Sequence, residues 1–136
     1  MISETDVQQW LAYAEADRQA AEHLLESGDY IACAFHCHQA VEKLLKAIIV
    51  AETQKRSPYL HNLRLLLEQL SGFEPPEGIV RKMVKIEPHY LGTRYPGVVD
   101  PRFYNRQNME SLLAETSEVY QWFLTKLNEM SKSGDS

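Results

Sequence analysis

Between Tyr30 and Ala51 the chain reads YIACAFHCHQAVEKLLKAIIVA, in which Ile31, Ala34, Phe35, His38, Val41, Leu45 and Ile48 recur at steps of three and four. That period marks one face of a helix. Tyr30, Cys33, Cys37, Leu44 and Ile49 widen the stripe on both sides, and neither Gly nor Pro interrupts it. An apolar face this wide predicts a central helix with neighbours on several sides. A second, narrower row of His36, Gln39, Lys43 and Lys46 shares one line of the same helix. A buried helix that carries imidazole, amide and ammonium groups in a row points to a candidate site.

The neighbours follow from the same kind of pattern. Upstream, Trp10, Ala14, Asp17, Ala21, Leu24 and Leu25 trace one face of a first helix. Ser3 or Thr5 can cap it, with Asp6 near its positive end. Ser27-Gly28-Asp29 stops it, and so short a link makes the first two helices antiparallel neighbours. Asp17 falls on the apolar stripe. It either reaches water at the stripe's edge or meets a cation, for which Lys43, Lys46 and Arg94 are the candidates.

Downstream, the polar run Glu52 to Pro58 closes the central helix. His61-Asn62 precedes Leu63, Leu66, Leu67 and Leu70, a third helix of two to three turns that Gly72 ends. Pro75-Pro76 opens a fourth, whose inward face is Ile79, Val80, Met83, Ile86 and Tyr90 and which Pro88 kinks or stops. Asn105 can cap the last helix, with Met109, Leu112, Leu113, Thr116, Val119, Tyr120, Phe123, Leu127 and Met130 facing inward. No strand period occurs. The expectation is an all-α fold, an antiparallel up-down four-helix bundle with an additional short helix. It forms one domain over residues 1–136, with an ordered core of about 5–130 and a frayed tail at 131–136.

Composition adds limits. The 136 residues carry a net charge of −5, which argues against broad electrostatic binding to nucleic acid or acidic membrane but leaves room for a small basic pocket. No apolar run reaches the length of a membrane span, and MISETDVQQW has neither half of a signal peptide, so the expected location is cytoplasmic. Cys33 and Cys37 lie one helical turn apart and read as small buried hydrophobes. A metal site with His36 or His38 would need four converging ligands, and no second Cys/His cluster follows. Neither a metal nor a cofactor is expected.

The stretch Gly92 to Asn105, GTRYPGVVDPRFYN, is the only long irregular one, and its aromatic content argues for order. Arg94 within it offers a planar fork suited to phosphate or carboxylate. Together with Gln39, Lys43, Lys46, His61 and Tyr95 it makes a candidate anion site, supported by Asp17, Glu42 and Tyr90. Plainer roles exist for each. Arg94 can pair with Asp17 or Glu42, Glu42 and Lys46 make an ordinary i, i+4 pair, His61 can bind backbone at a helix entry, and Tyr90 and Tyr95 can pack.

Four stretches, in the family's order along the chain, resemble the HEPN domain family. They are Gln39-Ala40-Val41-Glu42-Lys43-Leu44-Leu45-Lys46-Ala47, His61-Asn62-Leu63, Tyr90 with Thr93-Arg94-Tyr95-Pro96, and the N-terminal Trp10, Ala14, Asp17 and Gly28-Asp29-Tyr30. The resemblance covers nearly the whole chain. It implies a helical bundle that dimerises, is cytoplasmic, and is often encoded beside a minimal nucleotidyltransferase. The pair then resembles separated halves of an antibiotic-modifying nucleotidyltransferase, or acts as toxin and antitoxin. Many members are metal-independent ribonucleases with an Arg-x4–6-His motif near the start of the last helix. Here Arg102 and Arg106 occupy that region, but no His follows His89. Arg18 to His23 and Arg56 to His61 match the spacing elsewhere, and the first pair points about 140° apart on one helix.

Three functions are therefore expected in competition. The first is a nucleotide-binding subunit that partners a nucleotidyltransferase and is not catalytic alone. The second is a ribonuclease toxin, acting on RNA, with His61 as general acid or base and an arginine stabilising the developing charge. The third is a homodimerisation scaffold without a ligand.

Overall fold

In the computed structural model, which describes residues 4–72 and 74–134, every regular element is helical. The order is α1 (Glu4–Ser27), α2 (Tyr30–Thr53), α3 (Leu63–Glu68), α4 (Glu77–Ile86), α5 (His89–Gly92), a single 3-10 turn at Pro101–Phe103, and α6 (Arg106–Gly134). The bundle of the long helices α1, α2 and α6 with the ten-residue α4 agrees with the pattern of apolar positions.

Helix α2 is the centre. Cys33, Ala34, Cys37, Ala40, Val41, Leu44, Leu45, Ala47 and Ile48 are fully buried along it. Leu44, Leu45 and Ile48 each contribute roughly 1.5–3 kcal/mol by leaving water. Ile31 departs from the expected stripe and is 48% exposed. It sits in the first turn of α2, where the Gly28-Asp29 link leaves one side of the helix uncovered. Gly28 makes that link possible with φ +83°, a left-handed conformation that disfavours any Cβ.

Caps fix the ends. Asn62 Oδ1 accepts from the Leu65 amide at 3.0 Å and starts α3. Asn105 Oδ1 accepts from the Asn108 amide at 2.9 Å and starts α6. Thr5 lies inside α1 rather than before it, and Ser3 is outside the described residues. At the other end of the chain α6 continues through residues 131–134, beyond the point expected to fray, because helix propagation is cheap once α6 is nucleated and packed; residues 135–136 are outside the described residues.

Pro88 separates α4 from α5 as its missing amide requires. The following loop packs against itself through Gly92, where a Cβ would run into Val99 and the Tyr104 hydroxyl. Tyr120 and Phe123 of α6 are 3% and 0% exposed. Both are buried within the chain, while Trp122 between them is only partly buried.

Candidate functional site

Glu42 stands in the middle of α2 and is 2% exposed. A carboxylate so placed must be paired. Lys46, one turn on, brings Nζ to 3.2 Å of Glu42 Oε2. His61, from the segment before α3, places Nδ1 3.3 and 3.2 Å from the two Glu42 oxygens. His38, one turn earlier and fully buried, has Nδ1 3.7 Å from Glu42 Oε1. Its Nε2 has no hydrogen-bond partner and lies 3.5 Å from Glu87 Oε2. Glu87 in turn accepts the Leu63 amide at 2.6 Å. The network thus ties α2 to the starts of α3 and α5.

Tyr90 of α5 roofs this network. The His61 ring stacks on it at 4.6 Å between centroids and 17° between planes, and the His38 ring lies at 5.3 Å. Arg94, one turn on, donates to the Tyr90 hydroxyl at 3.0 Å and holds its guanidinium 5.2 Å from the ring centre. Tyr95 is 54% exposed beside it, with Arg94 6.0 Å from its ring centre. Stacking and cation–π contact set the direction of the arginine without using up its charge.

The rest of the α2 row is neutralised. Asp17, 7% exposed on α1, takes Lys43 on Oδ2 and His36 Nδ1 on Oδ1, each at 2.7 Å. Lys43 also lies 5.9 Å from the Tyr13 ring centre, and Lys46 lies 5.4 Å from that of Trp10. Gln39 is half-buried with Oε1 3.4 Å from His38 Nδ1. The residues singled out from the sequence thus gather along α2 in two connected groups, Asp17–His36–Lys43 and Glu42–Lys46–His61–Tyr90–Arg94. Arg94 forms no ion pair among the described residues, whereas Lys43 and Lys46 each have a carboxylate. The cationic partner of Asp17 is Lys43 rather than Arg94.

Two members of the cluster escaped sequence reasoning. His38 looked like one more apolar-stripe position, although Glu42 at i+4 was a usable signal. Glu87 carried none, because its contact with His38 depends on how the chain breaks at Pro88.

Within α5, His89 is 3% exposed and shares a hydrogen bond of 3.0 Å between its Nδ1 and the Tyr104 hydroxyl. Burial, with the charge of His38 second, pushes its pKa down to about 4, and burial pushes that of Tyr104 up to about 12. Both are therefore neutral in ordinary buffers, which suits a structural hydrogen bond. Among the described residues no group of His, Cys, Asp or Glu has the arrangement to hold a metal ion, and no helix is long and apolar enough to cross a membrane.

Comparison with known proteins gives one family. No curated protein matches the chain. The crystal structure of TT1696 from Thermus thermophilus is similar with a TM-score of 0.77 at 26% identity, over 88% of this chain and 97% of that one. ST0689, an archaeal HEPN homologue, has the same fold with a TM-score of 0.70 at 20% identity, over 88% of this chain and 96% of that one. The model of the HEPN domain matches residues 7–127. With its helix order and the placement of its motif residues, the chain belongs to the HEPN domain family.

Proposed function

We propose that the edge formed by Arg94, Tyr90 and His61 binds the phosphate of a nucleotide, and that the chain is the nucleotide-binding subunit partnering a nucleotidyltransferase. One observation carries the first half. Arg94 is exposed, is aimed by Tyr90 and has no carboxylate among the described residues, while the lysines of the α2 row are neutralised. An always-charged planar fork held in that way favours a bidentate anion. His61 turns Nδ1 to Glu42, which leaves Nε2 for a ligand oxygen. Tyr95 offers an open ring for a base. The nucleotidyltransferase partner, and function as a homodimer, are inferred from the family resemblance. Titration with ATP tests the binding half. Saturable binding that weakens about tenfold in Arg94→Ala supports it, and failure of the parent protein to bind any nucleotide overturns it.

A metal-independent ribonuclease is the second reading, and one observation favours it. The buried Glu42 carboxylate orients the half-exposed His61, which is how a general acid–base histidine is held in position. Cleavage of single-stranded RNA in the presence of chelator, lost in His61→Ala, would favour it over simple binding.

A further inference from the structure

On the far side of Glu87 a groove of about 620 Å³ opens between α3 and α4. Leu63, Leu67, Val80, Met83 and Val84 supply apolar walls, and Glu87 adds a carboxylate to the lining. Its volume lies in the range of small-molecule sites, and an apolar lining with one placed polar group is their usual composition. Val84 is 65% exposed at the rim although it belongs to a helix whose other face is packed.

We propose that this groove binds a small organic cation with an apolar body, an aryl-alkyl ammonium in the simplest case. The charges decide the sign of the head group. Arg64 and Glu68 at the mouth face each other at 3.9 Å and are both well exposed, so they offset one another. That leaves Glu87. Its Oε2 accepts the Leu63 amide and faces His38, while Oε1 has no partner among the described residues and its side chain is 28% exposed. An ammonium donates to that oxygen, and its apolar body displaces water from Leu67, Val80 and Met83. An anion would meet the carboxylate at close range and be disfavoured. None of His61, Tyr90 and Arg94 lines this groove, although Glu87 also touches their network through His38.

The test uses phenethylamine, phenethyl alcohol and hydrocinnamate, which share a phenyl body and differ in the head. Methyl-labelled methionine reports contact, with the Met83 signal assigned by its loss in Met83→Leu. The expected result is a saturable shift of the Met83 methyl with phenethylamine. Affinity should fall about fivefold for the alcohol and further for the acid, since a partly exposed charge pair is worth about 1 kcal/mol. Glu87→Gln keeps an acceptor for the Leu63 amide and should remove the preference for the amine. Should that variant misfold, Val84→Arg at the open rim should weaken the amine at least as much with an unchanged circular dichroism spectrum. No saturable shift in the folded parent protein overturns the proposal. Equal affinity for amine and alcohol overturns the cationic assignment. ATP titration of the same protein reads the nucleotide edge separately, so either can fail without the other.

Discussion

Replacing Glu42 by Gln should damage the protein more than any change at Arg94. The Glu42 side chain is 3% exposed and that of Lys46 only 6%, so their pair is a buried one. Neutralising the carboxylate leaves the Lys46 ammonium against Trp10 without its counter-charge. Removing one partner of such a pair costs roughly 3–5 kcal/mol. His61 adds little, because at 49% side-chain exposure it can turn to water. With an unfolding entropy of about 2.1 cal/mol/K per residue, the loss lowers Tm by about 10–17 °C for a domain of this length. Thermal melts followed by far-ultraviolet circular dichroism, in the helix band, measure it. Lys46→Met in the Glu42→Gln background should recover a large part, since the stranded charge is then gone. A single-variant loss below about 1 kcal/mol, or no recovery in the double variant, would show that the pair is solvated and the reasoning wrong.

Further consequences follow from separate features. His89, held down at about 4 against its ordinary 6.5, binds its proton in the unfolded chain first. Its contribution is complete above pH 6.5, shrinks as the pH falls toward 4, and amounts to roughly 3 kcal/mol, so urea midpoints should drop over that window and flatten in His89→Asn. Gln54 closes α2 in the left-handed region at φ 59°, and Gln54→Gly should raise stability by roughly 0.5–1 kcal/mol in the same melts. Phe123→Ala, at a fully buried α6 position, should cost roughly 3–5 kcal/mol by denaturant titration.

The sequence made the helices legible wherever period and cap coincide. The stripe from Ala34 to Ile48, the Asn105 cap and the break at Pro88 all follow from local chemistry, whereas Asn62 rather than His61 binds the backbone at the entry to α3, His61 being turned to Glu42. Ile31 misled because a periodic pattern says which residues share a face, not how far the neighbouring helix reaches along it. The end of α6 misled because a polar composition does not stop a helix already propagating. Within the site, the α2 row and its need for carboxylates could be seen, and Lys43 was among the candidate partners of Asp17. The choice of Lys43 over Arg94 depends on how α1 lies against α2, which composition does not encode. His38 and Glu87 meet only through the bend between α4 and α5, and the sequence had no local signal for that.

Whether Arg94 is present for a ligand or for the fold decides between a binding subunit and a scaffold. Isothermal titration of ATP into the parent protein and into Arg94→Ala, with a melt of each, tests it most directly. Arg94 is exposed and free of any ion pair among the described residues, so the variant should melt within about 0.5 kcal/mol of the parent while binding ATP about tenfold more weakly. A parent protein that binds no ATP, combined with a variant that loses several kcal/mol of stability, would contradict the ligand role and make Arg94 a structural brace on Tyr90.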